Sequence, residues 1–144
     1  MLLAKKPAIC EENIFLNLDS LSKEEAIKLA GQKLVERGYV KKGYIQAMLE
    51  REELMTTYMG MGVAIPHGIN EAKKEVKSSG IVVLQFPEGV DFDGEKAYLL
   101  IGIAGKGNEH LEILSNIAVA LDDELTERLR YENGKEEFIN TFKN

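Results

Sequence analysis

The chain of 144 residues is poor in the side chains that build cross-links and metal centres: it has one cysteine, Cys10, two histidines, His67 and His110, and no tryptophan. A lone cysteine forms no intramolecular disulfide, and Cys10 reads as an incidental small apolar residue in a reducing, intracellular setting. Two histidines without cysteines or carboxylates at ligand spacing exclude a structural zinc site, and neither metal nor cofactor is expected. Long apolar runs are also missing. None approaches the roughly 18 residues that cross a bilayer. The opening residues, Met1 through Pro7, put no apolar segment behind their charges and no small-residue cleavage site, so no signal peptide is expected. Finally, positive charge is in deficit, with 18 Lys and Arg against 24 Asp and Glu and a formal net charge of -6. Without a basic run or basic helix face, the field that releases counterions from nucleic acid is absent, whereas a positively charged protein surface stays open as a partner.

What is present is a core. At 44% hydrophobic residues the chain suffices for one compact domain, expected over 1–144, and is too short for two. Ser22-Lys23-Glu24-Glu25 is a capping box that predicts a helix to about 37, with Ile27, Ala30, Leu34 and Val35 on its apolar side and Gly38 as its stop. A second helix is predicted over about 42–54, buried through Tyr44, Ile45, Met48 and Leu49, with Glu50, Arg51, Glu52 and Glu53 crowded at its end. Residues 61–66, 80–86 and 98–104 read as inner strands, because continuous apolar runs imply burial on both faces, and 13–18 as a shorter edge strand. The segment from Pro87 to Gly94 reads as a turn-rich connection. Beyond the third inner strand, Asn108 is the expected N-cap of a largely buried helix carrying Leu111, Ile113, Leu114, Ile117, Ala118 and Leu121. Two short amphipathic helices follow, over 123–131 and 135–142. Helices interleaved with buried strands make an α/β layered domain with helices on both faces of the sheet.

His67 stands where a reactive imidazole would stand, after the apolar run Val63-Ala64-Ile65, a proline with no N–H for the ladder, and before Gly68, where the backbone turns without a side chain crowding the ring. The plainer reading is a histidine that ends a strand. His110 lies in the first turn of its helix, just past another strand, so both occupy the strand-end positions where open α/β sheets place ligands. Should those two strands be neighbours, the rings would meet beside a helix N-terminus suited to anions. Such a pair fits phosphoryl transfer, one imidazole attacking phosphorus while N–H groups and a cation stabilise the equatorial oxygens. Arg51 is either that cation or a partner in a surface ion pair along its glutamate-rich helix end. Gly60-Met61-Gly62 and Gly105-Lys106-Gly107 superficially resemble nucleotide loops but lack the full spacing and read as turns. Met55, Met59 and Met61 read as core filling or as an adaptable apolar rim.

The segment Ile45-Gln46-Ala47-Met48-Leu49-Glu50-Arg51-Glu52, continued by Thr57-Tyr58-Met59-Gly60 and Val63-Ala64-Ile65-Pro66-His67-Gly68, resembles the IIA component of the mannitol/fructose class of the bacterial phosphoenolpyruvate-dependent sugar phosphotransferase system. Glu12-Asn13-Ile14-Phe15-Leu16, Gln85-Phe86-Pro87-Glu88-Gly89-Val90, Ile101-Gly102-Ile103-Ala104, Asn108-Glu109-His110-Leu111 and Ala120-Leu121-Asp122-Asp123 resemble its mannitol branch in particular. The resemblance implies a single domain with a mixed five-stranded sheet. It also implies a phosphotransferase in which His67 takes a phosphoryl group from the phosphocarrier HPr, on the ring nitrogen farther from the backbone, and passes it to a cysteine of the IIB domain of a mannitol permease. His110 would orient His67 or contact the phosphoryl group, and Arg51 would support the site electrostatically. Where some relatives have a polar residue after Gly60, this chain has Met61, so Met59, Met61 and Val63 would form an apolar docking rim. A chain that ends at 144 without a linker or hydrophobic extension is expected to be a free cytoplasmic subunit. Two rivals follow from the same residues: a IIA-like regulatory phosphoprotein, and a non-catalytic interaction module with both histidines structural.

Overall fold

The computed structural model describes residues 9–142; the opening segment 1–8 and residues 143–144 lie outside it, and with them the reading of the first seven residues. Five strands, β1 (Ile14–Phe15), β2 (Tyr58–Gly60), β3 (Val63–Ala64), β4 (Gly80–Phe92) and β5 (Glu95–Ala104), form one sheet in the order β1-β4-β5-β3-β2. The β1–β4 and β3–β5 pairs are parallel, and the β4–β5 and β2–β3 pairs antiparallel, so the sheet is mixed. Helices α1 (Lys23–Glu36) and α2 (Gly43–Leu54) precede β2, and α3 (Glu109–Ala120), α4 (Asp123–Arg130) and α5 (Lys135–Phe142) follow β5.

The period of two along the long strands decides which helices cover which face. Val82, Leu84, Phe86 and Leu100 pack with Ala26, Ile27, Ala30 and Leu34 of α1 and Met48 of α2. Ile81, Val83, Leu99, Ile101 and Ile103 point the other way, against Ile113, Ile117, Leu125, Leu129 and Phe138 of α3, α4 and α5. Both faces are therefore dry, which is why these strands read as unbroken apolar runs. Gly102 lets α1 approach closely, since a Cβ there would lie 3.2 Å from that of Ala30 and 3.0 Å from Val82 Cγ2.

Three expectations need correction. Residues 87–94 are not a loose connection: β4 runs through Pro87 to Phe92, with an irregularity between Gln85 and Val90, and closes onto β5 by a two-residue turn. Asp93 and Gly94 take φ of +57° and +104° there, the left-handed pair favoured by an Asp-Gly hairpin. The inner strand foreseen over 61–66 begins only at Val63. Met61 and Gly62, with φ of +57° and +77°, turn the chain back from β2, so Met61 stands in a conformation that a side chain disfavours. Its extended course still reaches Pro66, whose carbonyl accepts from Ile103 N–H at 3.0 Å. Lastly, α3 is not largely buried: Ile113 and Ile117 are, whereas Leu111 and Val119 are 60% and 84% exposed.

The start of α1 bears out half of its capping box. Ser22 Oγ accepts from Glu25 N–H at 3.2 Å, while the reciprocal bond from Ser22 N–H to the Glu25 carboxylate is not formed among the described residues. Gly38, at φ +84°, follows its end. Ser22→Ala is expected to cost about 1 kcal/mol, read as a lower midpoint in urea with an unchanged slope. No change in midpoint would show that the cap contributes nothing.

Candidate functional site

The parallel pairing of β3 with β5 brings both histidines to one edge of the molecule, since His67 follows the extension of β3 and His110 follows β5. His67, His110 and Arg51 line one cleft of about 440 Å³, together with Gly68, Leu54 and Leu111. All three residues singled out in the sequence therefore meet at one place.

His67 is held by its own loop. Its Nδ1 lies 2.8 Å from the Ile65 carbonyl. A carbonyl can only accept, so Nδ1 carries the hydrogen and, in the neutral ring, the free lone pair is on Nε2. Burial, first of all, pushes the pKa of His67 below its ordinary value. The Ile65 bond opposes that shift, the nearby Arg51 guanidinium and the His110 imidazole add to it, and the Glu52 carboxylate opposes it. The ring is thus kept neutral at physiological pH, with a fixed tautomer and an available lone pair.

Helix α2 supplies the floor. Tyr44 projects its hydroxyl under the His67 loop, donating to the Ile103 carbonyl at 2.8 Å and accepting from Gly68 N–H at 2.9 Å. Burial pushes its pKa up to about 12, so it remains a neutral donor. A Cβ at Gly68 would lie 2.6 Å from Tyr44 Cε1, so this close passage requires glycine. The sequence marks Tyr44 only as a core residue; its polar bridge depends on where β5 ends.

Arg51 is in the last turn of α2, and its Nη1 donates to the Met55 carbonyl at 2.6 Å. Among the described residues it forms no ion pair with the surrounding glutamates, which removes the surface-pair reading. Beside it Glu52 is buried, contrary to the expectation of a crowded acidic surface. It stands eight residues beyond Tyr44 and four beyond Met48, both buried, so the helical stripe already held the signal.

His110 is the second residue of α3. Asn108 occupies the N-cap position, but its side chain does not cap. Its Oδ1 accepts from Lys73 Nζ at 3.1 Å, tying α3 to the 3-10 helix Asn70–Glu75 that follows His67. Lys73 also lines the narrow space between the two histidines, and no sequence motif singled it out. Ser79 fastens the other side of this helix start. Its Oγ bonds the Glu109 carboxylate and accepts from Lys106 N–H at 2.9 Å.

The apolar border of the cleft is Leu54, Leu111 and Leu114, with exposed Met55 close by in sequence. The rim foreseen from Met59, Met61 and Val63 lies elsewhere. Val63 is buried, and Met61 packs on the α3–α5 face and lines a separate cleft with Tyr58, Tyr98 and Thr126.

The arrangement is an imidazole of fixed tautomer with its Nε2 lone pair available, and a second imidazole, a guanidinium and a helix start around it. It suits capture and release of a phosphoryl group. Known proteins point the same way. The family described as the phosphoenolpyruvate-dependent sugar phosphotransferase system, EIIA 2, matches residues 8–144. The mannitol-specific phosphotransferase enzyme IIA component of Bacillus subtilis is 53% identical over 136 residues, covering 93% of this chain and 95% of its own. That of Geobacillus stearothermophilus is 57% identical over 118 residues, 81% of each chain. Among solved structures, a chain from the complex of enzyme IIAMTL and phosphorylated enzyme IIBMTL from Escherichia coli superposes with a TM-score of 0.88 at 42% identity, covering 94% of this chain and 96% of that one. The chain described here belongs to the EIIA 2 family of the phosphoenolpyruvate-dependent sugar phosphotransferase system.

Proposed function

We propose that this protein, as one domain in the cytoplasm, carries phosphoryl groups during mannitol uptake, taking them from phospho-HPr on His67 and giving them to the cysteine of the IIB domain of a mannitol permease. The observation that carries this reading is the 2.8 Å contact between His67 Nδ1 and the Ile65 carbonyl, which leaves Nε2 as the nucleophile in the cleft with His110 and Arg51. In the first step the Nε2 lone pair forms a bond to phosphorus as the bond from phosphorus to the donor breaks. Nδ1 keeps its hydrogen throughout, so no base is needed to activate the ring. The Ile65 carbonyl takes up the positive character that the ring gains when Nε2 bonds phosphorus. Arg51 and the N–H groups of the α3 start stabilise charge on the equatorial oxygens. In the second step the IIB thiolate attacks phosphorus and the imidazole leaves as a neutral ring. Because Nε2 is both nucleophile and leaving group, the same depressed basicity serves both directions.

The test is intact mass after incubation with phosphoenolpyruvate, Enzyme I and HPr. Gain of one acid-labile phosphoryl group supports the reading, and no gain beside an active control relative rejects it. His110→Ala is expected to retain acceptance but to slow onward transfer to IIB, by about 10- to 100-fold, because His67 keeps its own tautomer bond while the phosphoryl oxygens lose a neighbour. Rapid-quench transfer rates check this; an onward rate equal to wild type would remove His110 from the mechanism.

A further inference from the structure

Glu52 has no place in the chemistry above, yet its carboxylate is almost wholly buried, with its side chain 4% exposed, one residue from Arg51. Burying a carboxylate is costly unless its oxygens are bonded, and here both are. Oε1 accepts from Thr57 N–H at 2.8 Å and from Thr57 Oγ1 at 2.6 Å; Oε2 accepts from Thr56 Oγ1. Lys23 Nζ, 3.8 Å from Oε2, supplies the nearest positive charge and is itself shared with Asp93. The glutamate thus clamps the two residues that lead from α2 into β2.

Two paths run from that clamp into the cleft. The Thr57 carbonyl accepts from Ile65 N–H at 3.0 Å, and the Ile65 carbonyl is the one that takes His67 Nδ1–H. Three consecutive hydrogen bonds therefore join the Glu52 carboxylate to the ring of His67 through residues 57 and 65. The second path is shorter. The Met55 carbonyl, next in the chain to Thr56, holds the Arg51 guanidinium at 2.6 Å. Releasing the clamp would loosen both the acceptor that orients His67 and the acceptor that aims Arg51.

We propose that Glu52 is a positioning residue for phosphoryl transfer, fixing through Thr56 and Thr57 the carbonyl groups that orient His67 and Arg51. The inference rests on the phosphoryl-carrier reading for its purpose, but the geometry can be tested without any phosphoryl donor. A helix end that merely needed fastening would not move the tautomer of a histidine fifteen positions away in sequence, so that tautomer is the deciding readout.

The experiment compares wild type, Glu52→Ala, Glu52→Gln and Thr57→Val. Ring 15N chemical shifts of His67 are recorded at alkaline pH, and transfer from phospho-HPr is measured on the same samples. For folded Glu52→Ala the expected result is loss of the single Nδ1–H tautomer and a kcat lower by about 10²-fold, with KM for phospho-HPr little changed because the buried carboxylate is out of reach of a docked partner. Glu52→Gln should keep most of both, since an amide oxygen still accepts from the Thr57 N–H and hydroxyl. A wild-type tautomer and kcat in Glu52→Ala overturns the proposal, and so does a Glu52→Gln variant as impaired as Glu52→Ala, which would point to the charge instead of the clamp. If Glu52→Ala does not fold, Thr57→Val decides: a shifted tautomer population upholds the proposal and an unshifted one overturns it. Failure of wild type to accept a phosphoryl group would reject the carrier reading while leaving the ring spectra to judge the clamp.

Discussion

His67→Ala is expected to fold as wild type does and to accept no phosphoryl group at all. The side chain is half-buried at the end of the β3 extension and its polar contact is to a carbonyl of its own loop, so its loss opens a small space without cutting a link between elements. The chemistry has no substitute. His110 is in the same cleft, but its ring lacks the Ile65 carbonyl that fixes the reactive tautomer of His67. Intact mass with phosphoenolpyruvate, Enzyme I and HPr should show one phosphoryl group on wild type and none on the variant. A phosphorylated His67→Ala protein would sink the assignment and send the search to His110.

The same residue sets the pH response. Its folded pKa lies below the ordinary 6.5, so between the folded value and about 6.5 the unfolded chain binds a proton that the folded ring refuses. Stability from this group is therefore whole above about 6.5 and falls as pH is lowered through that window. Phosphoryl acceptance should persist below the ordinary histidine range and fail only once the folded ring itself protonates. A rate that halves near the ordinary value would contradict the buried, neutral ring.

Gly105→Ala is expected to damage the site nearly as much, by geometry alone. A Cβ at this buried position would stand 2.2 Å from the amide nitrogen of His110, 2.4 Å from its Cα and 2.6 Å from its Cβ, all far inside contact distance. Two of these atoms are backbone and the third is fixed by it, so none can rotate aside and the start of α3 must retreat from β5. That retreat pulls against Ser79, which bonds Glu109 and Lys106, and against the Lys73–Asn108 bond. A destabilisation of about 1–3 kcal/mol follows from overpacking of this kind. Displacement of His110 by about 1 Å should slow transfer to IIB by about 10²-fold. Urea unfolding and rapid-quench transfer measure the two effects. Wild-type stability would mean that the helix start yields freely, and a wild-type rate would mean that its position is immaterial to transfer.

Much of this was readable in one dimension, and the exceptions have particular causes. Ser22 and Gly38 bracket α1 because capping is a contact between near neighbours, and the unbroken apolar runs in β4 and β5 announce helices on both faces. The Asp93-Gly94 hairpin was also written in the chain, but Pro87 and Gly89 before it read as loop. A local irregularity in β4 absorbs both, and pairing with β5 resumes at Val90. The exposed face of α3 could not be foreseen from its apolar residues, since within the helix only Ile113 and Ile117 are buried and Leu114 packs on the core only in part. For the site, Pro66-His67-Gly68 and Asn108-Glu109-His110 were visible as strand-end motifs, and Arg51 as a cation to be placed. Tyr44 was not visible as a site residue because its partners, the Ile103 carbonyl and the Gly68 amide, come from distant segments, and Glu52 was not because its partners, though near in sequence, are reached only when the chain folds back after α2.

By itself, then, the sequence determined an α/β domain with helices on both faces of its sheet, its principal helices and two histidines after strand-like runs, because periodicity, capping and turn chemistry act over a few residues. The tertiary structure alone decided that β3 lies beside β5, so that residues 67 and 110 share a cleft with Arg51 from a third element. It alone decided that the Ile65 carbonyl reserves Nδ1 and leaves Nε2 free, and that Glu52 faces inward to Thr57 instead of water. Strand order and the direction of a side chain are settled by which surfaces bury together and which buried polar atoms find partners. The strand pairing joins residues far apart in the chain, and although the His67–Ile65 and Glu52–Thr57 bonds span only two and five residues, the direction each side chain takes is fixed by what packs around it.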